Sequence, residues 1–96
     1  MKIEYTKNNE NLVVTVEGRL DTATAPELES FLRGFYNEIG SLIIDCEQLT
    51  YVSSAGLRVL LSAHKKMEGS LKLTNVCELV MEVFEMTGFS DFLVIE

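Results

Sequence analysis

Apolar and polar residues alternate through Ile3-Glu4-Tyr5-Thr6, and again where Leu12, Val14 and Val16 are separated by polar or outward positions such as Thr15 and Glu17. Asn8-Asn9-Glu10-Asn11 lies between the two runs, so the chain is expected to open as a β-hairpin. Beyond Gly18, Thr24 followed three residues later by Glu27 predicts a capping box, with Pro26 tolerated in the first helical turn. Leu28, Phe31, Leu32, Phe35 and Ile39 then recur at helical spacing, which predicts a first helix ended by Gly40. Leu42-Ile43-Ile44 is wholly apolar and predicts a strand buried on both faces, followed by a loop at Asp45-Cys46-Glu47-Gln48. A second helix is expected from Ser53 or Ser54 to about Met67, closed by Gly69, with Leu57, Leu60, Leu61 and Met67 on its core side. Leu71-Lys72-Leu73-Thr74 alternates as a strand. Asn75 with Glu78 predicts another capping box, opening a third helix whose Leu79, Val80, Val83 and Phe84 face inward and which stops at Gly88. Phe92-Leu93-Val94-Ile95 supplies the last strand. The order ββαβαβαβ predicts a single α/β domain over residues 1–96 with a mixed five-stranded sheet, its connections long enough for right-handed crossovers between parallel strands.

Composition narrows the function classes. Of 96 residues, 47% are hydrophobic and 24% charged, the balance of a soluble globular domain with one modest core. No apolar run reaches the length of a membrane span, and the first residues lead straight into strand-like sequence with no leader, lipidation or transit pattern. The sequence therefore reads as cytoplasmic. A net charge of −7 argues against nucleic acid and anionic membrane surfaces, both of which are recognised through clustered Lys and Arg. Cys46 and Cys77 are far apart, with no C-x-x-C pair and no His at ligand spacing, so they read as buried thiols in a reducing compartment, and no metal or cofactor is expected.

Catalytic patterns are largely missing. There is no glycine-rich dinucleotide loop, no phosphate loop and no G-x-S-x-G elbow. Ser62-Ala63-His64-Lys65 satisfies S-x-x-K, but mid-helix and without the companion motifs of penicillin-recognising enzymes. His64, the only histidine, falls within the apolar stripe of its helix and reads as a packed, hydrogen-bonded residue near the core edge. Asp45 ends a buried strand like the phospho-acceptor of response-regulator receivers, yet the acidic pair and lysine that such a site needs are not in the sequence. A small enzyme built on Asp45, Cys46 or His64 is a poor reading, and the chain is expected not to be an enzyme.

The second helix stands apart. Between Gln48 and Met67 there is no Asp or Glu, in a chain that is otherwise strongly acidic. Arg58 and Lys65 share a face with Ser54, with Ser62 beside them. Lys65 and Lys66 suit the helix C-terminus, but Arg58 in the first turn opposes the dipole. Where the other two helices offer a Glu at the third position, this one has Gly56 or Leu57, so its amide-rich end holds no built-in anion. Gly56 also lets another backbone approach. A hydroxyl placed there could accept a phosphoryl group; a plain serine N-cap is the alternative.

"LTYVSSAGLRVLL" resembles the phosphorylation motif of bacterial anti-sigma-factor antagonists, the STAS domains. "GRLDTATAPEL" resembles that family's segment before the first helix, "LIIDCEQLTYVSS" its strand and loop into the site, and "EMTGF" the end of its third helix. The family pattern is Asp-Ser-Ser/Thr/Ala-Gly-Leu, modified on the serine two before the glycine. By position the resemblance makes Ser54 the acceptor, with Ser53 as the secondary candidate, and makes Asp21 a contact for the partner kinase. Thr22, Ser53, Ala55, Gly56, Leu57 and Arg58 complete the expected partner surface. Ser53 stands where the family has Asp, and the sequence ends after the fifth strand, where many members add a helix. The resemblance implies an anti-anti-sigma factor acting by partner switching. The unphosphorylated form binds an anti-sigma factor that is also a serine-protein kinase, phosphorylation by that kinase releases it, and a phosphoserine phosphatase restores it. A STAS binding module of a transport or sensory assembly, not itself phosphorylated, is the alternative. Ser53 is expected to cap the helix while Ser54 presents its hydroxyl outward.

Overall fold

The computed structural model describes residues 1–96 as one five-stranded sheet with three helices. Strand β1 (Lys2–Asn8) pairs antiparallel with β2 (Asn11–Leu20) through a two-residue turn at Asn9, whose φ of 57° suits an asparagine. Helix α1 (Ala25–Arg33) leads to β3 (Ser41–Val52), α2 (Ser54–Met67) to β4 (Leu71–Thr74), and α3 (Glu78–Thr87) with a 3-10 turn (Phe89–Asp91) to β5 (Val94–Ile95). The spatial order β1-β2-β3-β4-β5 follows the chain, and every pair after the hairpin is parallel. The mixed α/β sheet and the order ββαβαβαβ are as the sequence predicts.

Because each crossover steps to the next strand in one direction, the right-handed rule stacks all three helices on the same face. The burial pattern agrees. Leu12, Val14 and Val16 of β2, Leu42 and Ile44 of β3, and Leu71 and Leu73 of β4 are buried, while their neighbours along each strand are exposed or half-buried. The buried positions join residues of α1, α2 and α3 in one cluster of 22 that includes no polar or charged side chain. Ile43 is thus on an uncovered face, and the expectation of a strand buried on both sides is corrected.

Five further expectations give way. Asp45–Gln48 is not a loop but part of β3: Thr15 pairs with Asp45 and Arg19 with Tyr51, so β3 carries two more residues than β2 here and takes them up as bulges. Helix α1 stops at Arg33, with Gly34 as C-cap, and Phe35 continues the apolar pattern from a turn and Ile39 from the irregular stretch before β3. Neither capping box forms. Thr24 makes no side-chain cap bond, Cys77 rather than Asn75 is the N-cap of α3, and Asn75 (φ 56°) instead donates to Asp45 Oδ1 at 3.1 Å. Leu79 is exposed, and the fifth strand shrinks to two residues because Phe89–Asp91 coils before it.

Candidate functional site

The site begins with the contact between the end of β2 and the first turn of α2. The Ser53 amide donates to the Leu20 carbonyl at 2.9 Å, which continues the β2–β3 pairing of Leu20 with Val52 by one further step. Helix α2 starts at once, and Gly56 lies against the same place. A Cβ on Gly56 would stand 2.8 Å from the Leu20 carbonyl oxygen, 2.7 Å from Leu20 Cγ and 2.9 Å from Val52 Cγ2. Only glycine permits this approach, and the close approach of another backbone anticipated from the sequence is the one to Leu20.

Ser53, in extended conformation, is the N-cap of α2, and its Oγ accepts from the Gly56 amide at 3.4 Å. That hydrogen bond is the only side-chain cap among the three helices. Ser54 follows as the first helical residue and is exposed. The first turns of α1 and α3 carry Glu27 and Glu78, whereas that of α2 carries no acid. Leu57 is buried and anchors the turn to the core, Ala55 is half-buried and Arg58 exposed.

Leu20 is followed directly by Asp21, whose carboxylate is tied into the turn before α1. Its Oδ1 accepts from the amides of Ala23 (3.0 Å) and Thr24 (3.2 Å), and its own amide donates to Thr24 Oγ1 at 2.9 Å. The Thr24 hydroxyl in turn donates to the Arg19 carbonyl at 2.7 Å. The expected capping box is therefore replaced by an Asp21–Thr24 turn that delivers the chain into α1. Burial acts to raise the Asp21 pKa, but the Thr24 and Ala23 amides, the Thr24 hydroxyl and Arg19 together outweigh it and hold the carboxyl below the usual carboxylate value. Oδ2 accepts no hydrogen bond and lies 3.6 Å from Arg19 Nε, and the Arg19 guanidinium lies 4.1 Å over the Tyr51 ring. Sequence reasoning missed Arg19 and Tyr51; their pairing across β2 and β3 depends on the bulges, which no local pattern announces.

A hollow of 360 Å³ opens between α1 and α2, lined by Thr22, Ala25, Pro26 and Glu29 on one side and Ala55 and Arg58 on the other. It brings Arg58 to the groove with Thr22, and Arg58 makes no ion pair with any carboxylate of the chain. Asp21, Thr22, Ser53, Ser54, Ala55 and Arg58 thus lie at one end of the sheet, at or just beyond the C-terminal ends of β2 and β3. A separate hollow of 340 Å³ at Ser41, Gly69 and Lys72 lies at the opposite, N-terminal ends of β3 and β4. His64 joins neither: it is half-buried with its ring 5.1 Å from that of Phe92, and its buried Nδ1 has no hydrogen-bond partner, unlike the bonded histidine expected. Cys46 is buried and Cys77 half-buried, and both are free thiols. No group of three or more His, Cys, Asp or Glu residues is arranged to hold a metal ion, and no helix is long and apolar enough to cross a membrane.

The sequence profile of the STAS domain matches residues 2–96. The chain is 30% identical over 96 residues to the anti-sigma-B factor antagonist of Bacillus subtilis strain 168, covering 97% of this chain and 88% of that protein. Among solved structures, the anti-sigma factor antagonist SpoIIAA in its unphosphorylated form matches with a TM-score of 0.83 at 18% identity, over 99% of this chain and 88% of that one. The phosphorylated form of the Bacillus cell fate determinant SpoIIAA matches with a TM-score of 0.75 at 18% identity, over 99% and 91% of the two chains.

Proposed function

The chain belongs to the STAS domain family, and on that footing we propose that it is a cytoplasmic anti-sigma factor antagonist, a regulatory binding protein that works by partner switching. In its unphosphorylated form it binds an anti-sigma factor that is also a serine-protein kinase, and so frees a sigma factor. The kinase then transfers the γ-phosphoryl group of ATP to Ser54 Oγ; the hydroxyl proton is lost, ADP leaves, and the complex parts. A phosphoserine phosphatase hydrolyses the ester and restores binding.

One observation carries this reading: the division of labour between two adjacent serines. Ser53 uses its hydroxyl to cap α2, which leaves Ser54 exposed on a turn without any acidic residue. A phosphate on Ser54 would bring a charge of about −2 and strong demand for hydration to this surface. The free form tolerates it, because the α2 amides and dipole favour an anion there. A bound partner would have to desolvate it, and a transient interface does not withstand that cost. Asp21 Oδ2, Thr22, Ala55 and Arg58 form the rest of the partner surface, with Gly56 and Leu57 holding the turn in place.

Incubation with ATP and the cognate kinase, followed by mass spectrometry, tests the assignment. Phosphate is expected on Ser54 and absent from Ser54→Ala. Phosphate on Ser53 alone would move the switch to the capping residue, and none on either serine would favour a STAS module that binds without modification.

A further inference from the structure

The groove beside the serines does not end at Arg58. A second hollow of 310 Å³ continues it along α1 and α2, and Glu29 lines both. The far hollow is walled by Arg33, Tyr36 and Asn37 from the end of α1 and its turn, and by Ser62 and Lys66 from α2. Arg58, Ser62 and Lys66 recur every four residues, so they form one ridge along the groove. From Ala55 to Lys66 this face is about 16 Å long at 1.5 Å per residue, too long for a small ion and suited to a peptide segment.

The wall chemistry is lopsided. Arg33, Lys66, Asn37, Ser62 and Tyr36 all bring hydrogen-bond donors. The only carboxylate, Glu29, is already 3.3 Å from Arg33. The Tyr36 hydroxyl is buried without a partner, a group that folded proteins seldom leave unsatisfied. On a chain of net charge −7, Arg33, Arg58 and Lys66 outnumber the acids here, which makes the groove the place where an acidic segment is attracted and not repelled.

We infer that the α1–α2 groove is a second part of the partner interface, in which an acidic segment of the anti-sigma kinase lies along Arg58, Ser62 and Lys66 and seats a carboxylate between Arg33, Lys66 and the Tyr36 hydroxyl. This inference rests on the antagonist reading. It separates two jobs: the Ser54 end switches binding off, and the groove supplies affinity that phosphorylation does not touch directly.

Calorimetric titration with the kinase that modifies the wild type tests it, at two salt concentrations. Arg33→Glu/Lys66→Glu is expected to weaken binding at least tenfold and to flatten its salt dependence. Lys2→Glu/Lys72→Glu has the same net charge but alters the uncovered sheet face, and is expected to bind as the wild type does. Tyr36→Phe is expected to fold normally, since it removes only an unpartnered hydroxyl, and to bind a few-fold more weakly. Equal affinities for the two double variants would overturn the groove, and so would tight binding of inorganic phosphate that depends on Arg33, which would make it a free-anion site. A wild-type protein that no such kinase binds or modifies would overturn the antagonist reading itself, and the groove with it.

Discussion

Ser53 and Ser54 are identical in type and adjacent in sequence, yet the backbone separates their roles. Ser53 is extended and bonds Gly56, whereas Ser54 is helical and exposed. Ser53→Ala is therefore expected to cost about 0.5–1 kcal/mol, the lower range for a lost N-cap because the bond is long. Ser54→Ala should stay within about 0.5 kcal/mol of wild type, as surface changes do. Urea melts of the two variants make the comparison, and equal losses would contradict the assignment of the cap. Asp21, which the resemblance makes a contact for the partner kinase, also has a structural role, since its Oδ1 holds the turn before α1. Because its pKa is lowered in the folded state, the stability it contributes is present above its unfolded value near 3.8 and is lost as pH falls through the folded value. Carbon-13 NMR titration should show Asp21 titrating below that value. Asp21→Ala should lower the melting temperature, while Asp21→Asn, which keeps an acceptor oxygen, should retain most of it. Loss of kinase affinity in the asparagine variant would then report the charge at Oδ2 alone.

At the scale of elements, the position of α2 depends on one glycine. An alanine in an open helical turn normally stabilises by up to about 1 kcal/mol. At Gly56 the added methyl would meet the Leu20 carbonyl oxygen at 2.8 Å, and backbone cannot rotate aside as a side chain does. Gly56→Ala is expected to destabilise by about 1–3 kcal/mol and to disturb the amides of Ser53 and Ser54 in NMR spectra; a stabilised variant would show that α2 can slide off β2 freely. Gly56 also shows which elements were legible in the sequence. The motif between strand and helix could be read because a glycine there has a local cause. The hairpin, α2 and α3 were legible for a similar reason, since each pattern is local. The end of α1 was not. Phe35 and Ile39 keep helical spacing because Phe35 packs on Phe31 and Tyr5, 5.2 Å from each, and such packing does not require helical backbone. The bulged half of β3 was hidden as well. Asp45-Cys46-Glu47-Gln48 is polar at three of four positions, but strand pairing is settled by the neighbour β2, not by the residues themselves. Of the residues proposed for the site, Ser54 and Asp21 were singled out by the resemblance and Arg58 by its cationic place in the first turn of α2, whereas the Arg19–Tyr51 pair and the Tyr36 hydroxyl beside Ser62 and Lys66 arise only when distant segments meet.

Taken whole, the molecule puts its core on one side of the sheet and leaves no polar side chain within it, so its buried titratable groups are few. Two of them make alkaline pH the place where the fold reports on itself. The Cys46 thiol is pushed from 9.0 up to about 12, by burial first and then by Asp45 and Cys77. Tyr36 is pushed from 10.0 up to about 12, by burial and then Glu29, with Arg33 opposing. Both groups lose their protons more readily in the unfolded chain, so over these intervals the folded chain binds more protons and stability falls as pH rises. The stability tied to Cys46 is fully present below pH 9 and is lost progressively as pH climbs toward 12, at no more than about 1.4 kcal/mol per pH unit for one proton. The Tyr36 contribution begins about one unit later and is smaller, because its ring is only half-buried and solvent screens it. Urea unfolding between pH 7 and pH 11 should therefore be flat to about pH 9 and decline beyond. Cys46→Ala should start lower, since it leaves a small void among Ile44 and its neighbours, but should stay flat for about one further unit. Wild-type and Cys46→Ala curves that run parallel above pH 9 would mean that the thiol meets water in the folded chain, and that the floor of the core beneath β3 is more open than its burial requires.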